Sequence, residues 1–301
     1  MKEMVLPGFE YHEPLGIQEA CEIMADLKEK VSPLAGGTDL LVNMKKGDHS
    51  PPHVLSLGRI DALRGIKKVK GHLSIGATAR AGEISQSPAV NHDFRAVGQG
   101  SGSLGSPLIR NLATIGGNLV SARPAADFPP CLMVHDATVV LAKAGKERSM
   151  NMADFFKGPG KTAKAPDEIL LKILLTYPPP YSGSGYVKLG KRRALEISVV
   201  NVAAFISLEG PGGAIREARI ALGAVAPVPI RAVKAENALK GERPGESAFA
   251  RAGETAAGEC RPIDDFRGSA RYRTAMVAEL TKRALALAFE EAKARELRRW
   301  K

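Results

Sequence analysis

Two short stretches share one design: Leu34-Ala35-Gly36-Gly37-Thr38-Asp39-Leu40 and Arg110-Asn111-Leu112-Ala113-Thr114-Ile115-Gly116-Gly117-Asn118-Leu119. Each runs from apolar residues into a glycine pair and then to a small polar side chain. Glycine pairs let backbone N–H groups close on an anion with no Cβ in the way. Thr38, Thr114 and Asn118 add side-chain donors suited to phosphate oxygens. Thr38 also stands where the pattern predicts the start of a helix, and a helix N-terminus favours negative charge. A lone Gly-Gly turn is commonly just a tight turn. Two of one design, brought together on one diphosphate, make a dinucleotide site.

Around these stretches the chain divides into three units. In the first, residues 1–58, Ile17, Cys21, Met24 and Leu27 recur at helical spacing and predict a helix over 16–29. A short strand at 32–35 leads into the first glycine pair, and a helix from Thr38 to Lys46 is stopped by Gly47. Strands follow at 53–57 and 72–75, with the α/β pattern ending near 58. The second unit, 59–178, carries a helix at 81–85, a Gly/Ser-rich stretch at 98–106 and a strand at 137–143. It also has a clear strand in which Ile169, Leu171, Ile173 and Leu175 alternate with Leu170, Lys172, Leu174 and Thr176. Pro178-Pro179-Pro180, with Gly183 and Gly185, reads as a linker or domain boundary. The third unit, 181–301, reads as strands at 186–188, 199–208 and 218–225 followed by helices. Its last helix is expected from Ser269 to Arg295, with Met276, Leu280, Ala284 and Leu287 on one face.

Composition narrows the function. The 301 residues suffice for two or three small domains. No apolar run approaches the roughly 18 residues of a membrane span. Met1 to Glu10 shows no secretory pattern, so the cytoplasm is the expected compartment. The three cysteines, Cys21, Cys131 and Cys260, lie far apart and cannot by themselves hold an iron–sulfur cluster or a structural zinc. The six histidines show no metal spacing along the chain, and no metal site is expected. The net charge of +11 is spread out, with dense runs at Lys67–Lys70, Lys188–Arg193 and Lys293–Lys301. Only Trp300 falls among them and aromatic residues make up 5% of the chain, which argues against nucleic acid and for a solvated surface or an acidic partner. Gly100-Ser101-Gly102-Ser103-Leu104-Gly105 spells GxGxxG, but no buried strand precedes it, so a Rossmann reading fails. Asp127 sits in a small Pro-rich loop just beyond the second glycine pair. A carboxylate there repels phosphate and is expected to face a ring edge or a hydroxyl.

The two glycine motifs resemble the pyrophosphate-binding motifs of the FAD subunit of the molybdenum hydroxylases, the xanthine dehydrogenase and carbon monoxide dehydrogenase family. The likeness spans nearly the whole chain. Phe9, Tyr11 and Pro14 before Glu19-Ala20 are similar to the family's opening, and Ser74-Ile75-Gly76-Ala77 to its Ile-Gly-Ala strand. Ala221 to Pro227, Pro229, Pro262 to Asp265, Arg267 to Ala270 and Tyr272-Arg273 match its C-terminal domain. The resemblance implies an α+β fold: two FAD-binding subdomains of the vanillyl-alcohol-oxidase-like type, then a C-terminal three-stranded sheet with helices. It implies that Leu34, Ala35, Gly36, Gly37, Thr38, Asp39 and Leu40, with Thr114, Gly116, Gly117 and Asn118, bind the FAD diphosphate and its surroundings. It puts Asp127 and Lys188 near the flavin ring and Leu170 by the adenine or the ring. A cation such as Lys188 there stabilises negative charge on the ring. Leu104 falls where some members stack an aromatic residue. Arg123 replaces the small residue usual before Pro124, which either alters the pocket rim or offers an extra phosphate contact. Asp264 and Asp265 read as a turn or helix-cap feature.

The function so implied is electron transfer by FAD, with no catalytic residue and no metal in this chain. Molybdopterin is expected in a large partner subunit and two [2Fe–2S] clusters in a small one, with NAD⁺, O₂ or another acceptor beyond. Hydroxybenzoyl-CoA-reducing relatives carry a further cluster in this subunit, which three cysteines argue against. Two alternatives remain. A stand-alone flavin oxidoreductase on the same fold, like the cell-wall sugar-nucleotide reductases, needs a general acid beside the flavin, and no motif supplies one. A flavin-free basic binding or assembly module needs only the charge.

Overall fold

The computed structural model describes residues 5–192 and 195–299. Met1 to Met4 of the opening segment, Arg193 of the second basic run and the last two residues of the basic tail lie outside the described residues.

Among the described residues, three sheets of three or more strands follow one another along the chain. The first is parallel, β1 (Glu10–His12), β2 (Val31–Leu34) and β3 (His53–Ser56), in spatial order β1-β3-β2. Helices Ile17–Leu27 and Leu40–Lys46 are its crossovers. Cys21 and Met24 of the predicted apolar face are buried, and Gly47 ends the second helix in the left-handed conformation. The second sheet is β4 (Ile66–Val69), β5 (His72–Gly76), β6 (Thr138–Lys143) and β7 (Lys146–Asn151), with β10 (Ile169–Thr176) arriving after a ribbon of β8 (Phe156–Gly158) and β9 (Lys161–Thr162). Its order is β4-β5-β10-β6-β7. Both sheets feed one apolar cluster, in which Met24 and Leu55 join Ile75, Val139 and Ile173.

The third sheet is antiparallel: β11 (Ser182–Leu189), β12 (Val200–Leu208), β13 (Ile215–Gly223) and β14 (Ile230–Arg231). It has four strands where three are expected. The fourth is two residues long, too short to show a period of two in the sequence. β12 is buried along its whole length because it divides two cores. Val202, Ala204 and Ile206 pack under the C-terminal helices, while Ala203 and Phe205 join the N-terminal cluster. Successive strand residues point to opposite faces, so one strand serves both cores.

Two expectations need correction. Gly183 and Gly185 are not linker residues; they lie in β11, directly beneath the helix Ala270–Arg299. A Cβ on Gly183 would overlap the Ala288 carbonyl oxygen and the Ala292 nitrogen. A Cβ on Gly185 would meet Leu287 Cβ at 2.6 Å. The glycines let a helix lie close on a sheet. Gly183→Ala is therefore expected to lower the unfolding free energy by about 2–3 kcal/mol through overpacking. Denaturant titration reads it, and an unchanged midpoint would mean the helix lifts freely. The buried face of that helix also differs from the expected one. Val277, Leu280, Thr281, Ala284, Leu285 and Ala288 are buried, while Leu287 is 40% exposed. The helix Glu246–Glu259 packs along its flank and turns the covered face.

The GxGxxG stretch lies within and just past a helix, Arg95–Ser103. A Cβ on Gly100 would overlap the Cys131 sulfur, so close helix packing explains that glycine. No helix among the described residues is long and apolar enough to cross a membrane.

Candidate functional site

The first glycine motif leaves β2 and turns into the helix Leu40–Lys46. Gly36 is held against the second motif so tightly that a Cβ would overlap the Leu112 carbonyl oxygen and stand 3.2 Å from Ala113 Cα. Gly37 has φ +71°, a left-handed conformation that glycine adopts without strain. Among the described residues, the backbone N–H groups of Ala35 through Leu40 find no protein acceptor. The helix begins at Leu40, two residues later than predicted, and Asp39 makes no side-chain cap. The motif thus presents a run of free amides along a cleft. The exposed Asp39 contributes its N–H, since its carboxylate repels an anion.

The second motif is built differently. The N–H of Ile115 donates to Ala79 O at 3.0 Å and that of Gly116 to Ala77 O at 2.8 Å. The N–H of Gly117 donates to Thr114 Oγ1 at 3.1 Å and that of Asn118 to Thr114 O at 3.0 Å. These amides are committed, contrary to the expectation that both glycine pairs offer N–H groups. Gly116 permits close approach instead, since a Cβ there would lie 2.7 Å from Ala77 O. Three things remain for a ligand. The Thr114 hydroxyl accepts from Gly117 and keeps its own hydrogen to donate. The Oδ1 of Asn118 is buried without a partner, which is costly unless a ligand supplies one. A Cβ on Gly117 would touch only Thr114 Oγ1, at 3.0 Å, so that surface is otherwise open.

Asp127 is the hub of a buried polar network. Its carboxylate accepts from Tyr186 Oη at 2.7 Å, Ser198 Oγ at 3.1 Å and Lys188 Nζ at 3.0 Å. Lys188 also donates to Ser103 O at 3.2 Å. Asn201 Nδ2 donates to Ser198 Oγ at 3.0 Å and to Ala126 O at 3.2 Å. Burial first, and the Asp127 charge second, push the Tyr186 phenol well above its ordinary range, so it stays a donor. The sequence reading names Asp127 and Lys188 separately; the fold makes them a pair, with Lys188 behind the carboxylate.

These parts line one cleft of about 1310 Å³, at or above the upper end of ordinary ligand pockets. Ala35 to Leu40, Leu104, Thr114, Gly116 to Asn118, Asp127 and Leu170 all border it, while Leu34 and Lys188 lie behind the lining. Leu170 enters where the β10–β6 register shifts between Leu170 and Lys172, and such bulges re-aim side chains. Of the lining cations, Lys46, Arg123, Lys164 and Arg261 have no ion-pair partner among the described residues, and the last two donate to backbone carbonyls. Arg267 and Arg273 line the cleft from the third unit and are held by Asp265, at 2.6 Å each. Those bonds, Arg267's first, draw the Asp265 carboxyl well below its ordinary range. Asp264 accepts from the Ala270 N–H at 2.6 Å at the start of the last helix, in keeping with a cap. Lys164 and Glu168 also border the cleft unforeseen. No spacing in the sequence marks them, because the ribbon of β8 and β9 brings them in.

Free amides, unpaired cations, an orphaned acceptor and apolar walls fit a dinucleotide carrying a diphosphate. The site defines a dinucleotide-binding protein of mixed helix and sheet. Residues 7–178 match the family described as the FAD binding domain in molybdopterin dehydrogenase. Residues 185–288 match the CO dehydrogenase flavoprotein C-terminal domain. The chain belongs to the FAD-binding medium-subunit family of the molybdenum hydroxylases. It is 31% identical to the carbon monoxide dehydrogenase medium chain of Hydrogenophaga pseudoflava, over 94% of this chain and 97% of that one. It is also 31% identical to the glyceraldehyde dehydrogenase medium chain of Sulfolobus acidocaldarius, over 93% and 98%. A solved structure of the Hydrogenophaga carbon monoxide dehydrogenase superposes with a TM-score of 0.91 over 95% of this chain and 99% of that one, at 31% identity. Quinoline 2-oxidoreductase from Pseudomonas putida gives 0.89 over 96% and 99%, at 27% identity.

Proposed function

We propose that this chain is the electron-transfer medium subunit of a three-subunit molybdenum hydroxylase in the cytoplasm. It receives electrons from the [2Fe–2S] clusters of a small subunit and delivers them to NAD⁺ or another acceptor, with molybdopterin in a large subunit. The observation that carries the reading is the run of unpaired amides from Ala35 to Leu40 opening on a cleft of about 1310 Å³.

FAD supplies the electron chemistry when bound. The chain's residues bind, orient and bias it. The Ala35–Leu40 amides, Lys46 and Arg123 hold the diphosphate. Thr114 donates to it, and Asn118 Oδ1 accepts from a neighbouring hydroxyl of the dinucleotide. Leu104 and Leu170 give apolar contact to the rings. The Asp127–Lys188 pair sets the charge near the redox group, with Tyr186 and Ser198 keeping the carboxylate in place.

This pairing predicts opposite signs for two variants. A unit charge roughly 10 Å away at an effective dielectric near 20 acts with about 1.7 kcal/mol, or about 35 mV for a two-electron couple. Lys188→Met is expected to lower the flavin midpoint potential by about that much, and Asp127→Asn to raise it. The double variant should return near the starting value. Potentiometric titration of the FAD-loaded chain reads all three, and unchanged potentials would place the pair away from the ring.

The assembly is tested by purifying the native complex. Molybdenum and [2Fe–2S] subunits are expected to accompany the yellow chain, and NADH to bleach its flavin band if NAD⁺ is the acceptor. A yellow chain that purifies alone and turns over a substrate without partners would overturn the proposal in favour of a stand-alone flavoenzyme.

A further inference from the structure

The histidines show no metal spacing along the sequence, but strand pairing creates one. β1 and β3 run parallel, with Glu10 opposite His53. His12, two residues on from Glu10, shares its face of the sheet. His12 Nε2 lies 3.1 Å from His53 Nδ1. Glu10 Oε2 lies 3.4 Å from His53 Nδ1, and Glu10 Oε1 lies 3.8 Å from His12 Nε2. Two ligand atoms held at about 2.0–2.1 Å from one tetrahedral zinc ion stand roughly 3.3 Å apart. The two nitrogens therefore span about one edge of such a tetrahedron, and the carboxylate sets a different oxygen near each, with one ligand atom from each residue within 4.8 Å of the others.

We propose that Glu10, His12 and His53 form a site for a divalent first-row transition ion of the zinc type, outside the flavin cleft. Two imidazoles and a carboxylate are a donor set that such borderline ions accept. The facing nitrogens ligate without hydrogen, so the ring protons sit on His12 Nδ1 and His53 Nε2. No proton need leave a neutral imidazole, since each tautomer has its N–H on the far side. The histidine side chains are about a fifth exposed and Glu10 is two-thirds exposed, which gives the ion an entry path and leaves a fourth position to solvent. The candidate site is empty. Its occupation ties the three-residue edge strand β1 to the central strand β3. That bond adds to only three pairs of strand partners, so the metal is a brace for the start of the fold.

The test uses the full chain with FAD bound and without a histidine tag, titrated with Co²⁺ alone and then with Zn²⁺. One equivalent of Co²⁺ is expected, with the visible bands of a tetrahedral ion, displaced stoichiometrically by Zn²⁺. His12→Ala and His53→Ala should each weaken binding by about 100-fold or more, at least what loss of an outer-shell partner costs. His92→Ala, on another element, should leave it unchanged. Glu10→Gln changes an exposed side chain and should weaken binding without disturbing the fold, which guards against a histidine variant that misfolds. FAD content should stay constant throughout, separating this site from the flavin reading. Absence of a saturable equivalent, or its persistence in both histidine variants, would overturn the proposal and leave the imidazoles as a simple hydrogen-bonded pair.

Discussion

Replacing Gly117 with Val is expected to leave a folded but colourless protein. Gly117 lies in the short helix Ile115–Val120, and its backbone is not left-handed. Valine is at least as good a helix residue as glycine, so the backbone itself carries no penalty. Among the described residues, and outside its own helix backbone and chain neighbours, a new Cβ would meet Thr114 Oγ1, at 3.0 Å. Disturbing that cap costs about 1 kcal/mol. The two methyl groups instead project into the cleft between the free amides of Ala35–Leu40 and Asn118, in the space assigned to the diphosphate. Retained stoichiometric FAD would remove Gly117 from the site. Gly36 is a poor choice for the same test. A Cβ there drives into backbone of the second motif, so lost flavin would not be separable from a broken fold.

Asp127→Ala is expected to be the most destabilising single change near the site, by about 3–5 kcal/mol, because it strands a charge inside the protein. Lys188 is only 12% exposed, and its ion-pair partner is Asp127. The hydroxyls of Tyr186 and Ser198 lose the same acceptor. The variant Asp127→Ala with Lys188→Met should recover part of the loss, since it removes the stranded cation. Denaturant unfolding of the three chains measures this. A loss under about 1 kcal/mol would mean that water serves Lys188 as well as the carboxylate does.

Much of the site was legible because its chemistry is local. A glycine pair followed by a small polar residue is a statement about backbone that neighbours in sequence make together. The motif at Gly36–Leu40 keeps its amides free as expected. The second motif looks the same on paper but spends its amides on Ala77, Ala79 and Thr114. Nothing in residues 110–119 announces that the turn at 77–79 will lie against them. The linker reading of Gly183 and Gly185 fails for a similar reason. Glycine after a proline run signals a turn locally, and only the helix lying over β11 reveals a packing role.

The α+β character, several of the longer strands and helices, the two glycine motifs and the lack of a cysteine set for a cluster could be read before any fold was known. These depend on periodicity, composition and short-range geometry. Tertiary structure alone decided which groups meet. It joined Asp127 to Lys188 across 61 residues, made β12 a wall between two cores and set Glu10 beside His53. The physical reason is that charge pairing, close packing and ligand geometry act through space over a few ångströms. Separation along the chain places no limit on which side chains come that near.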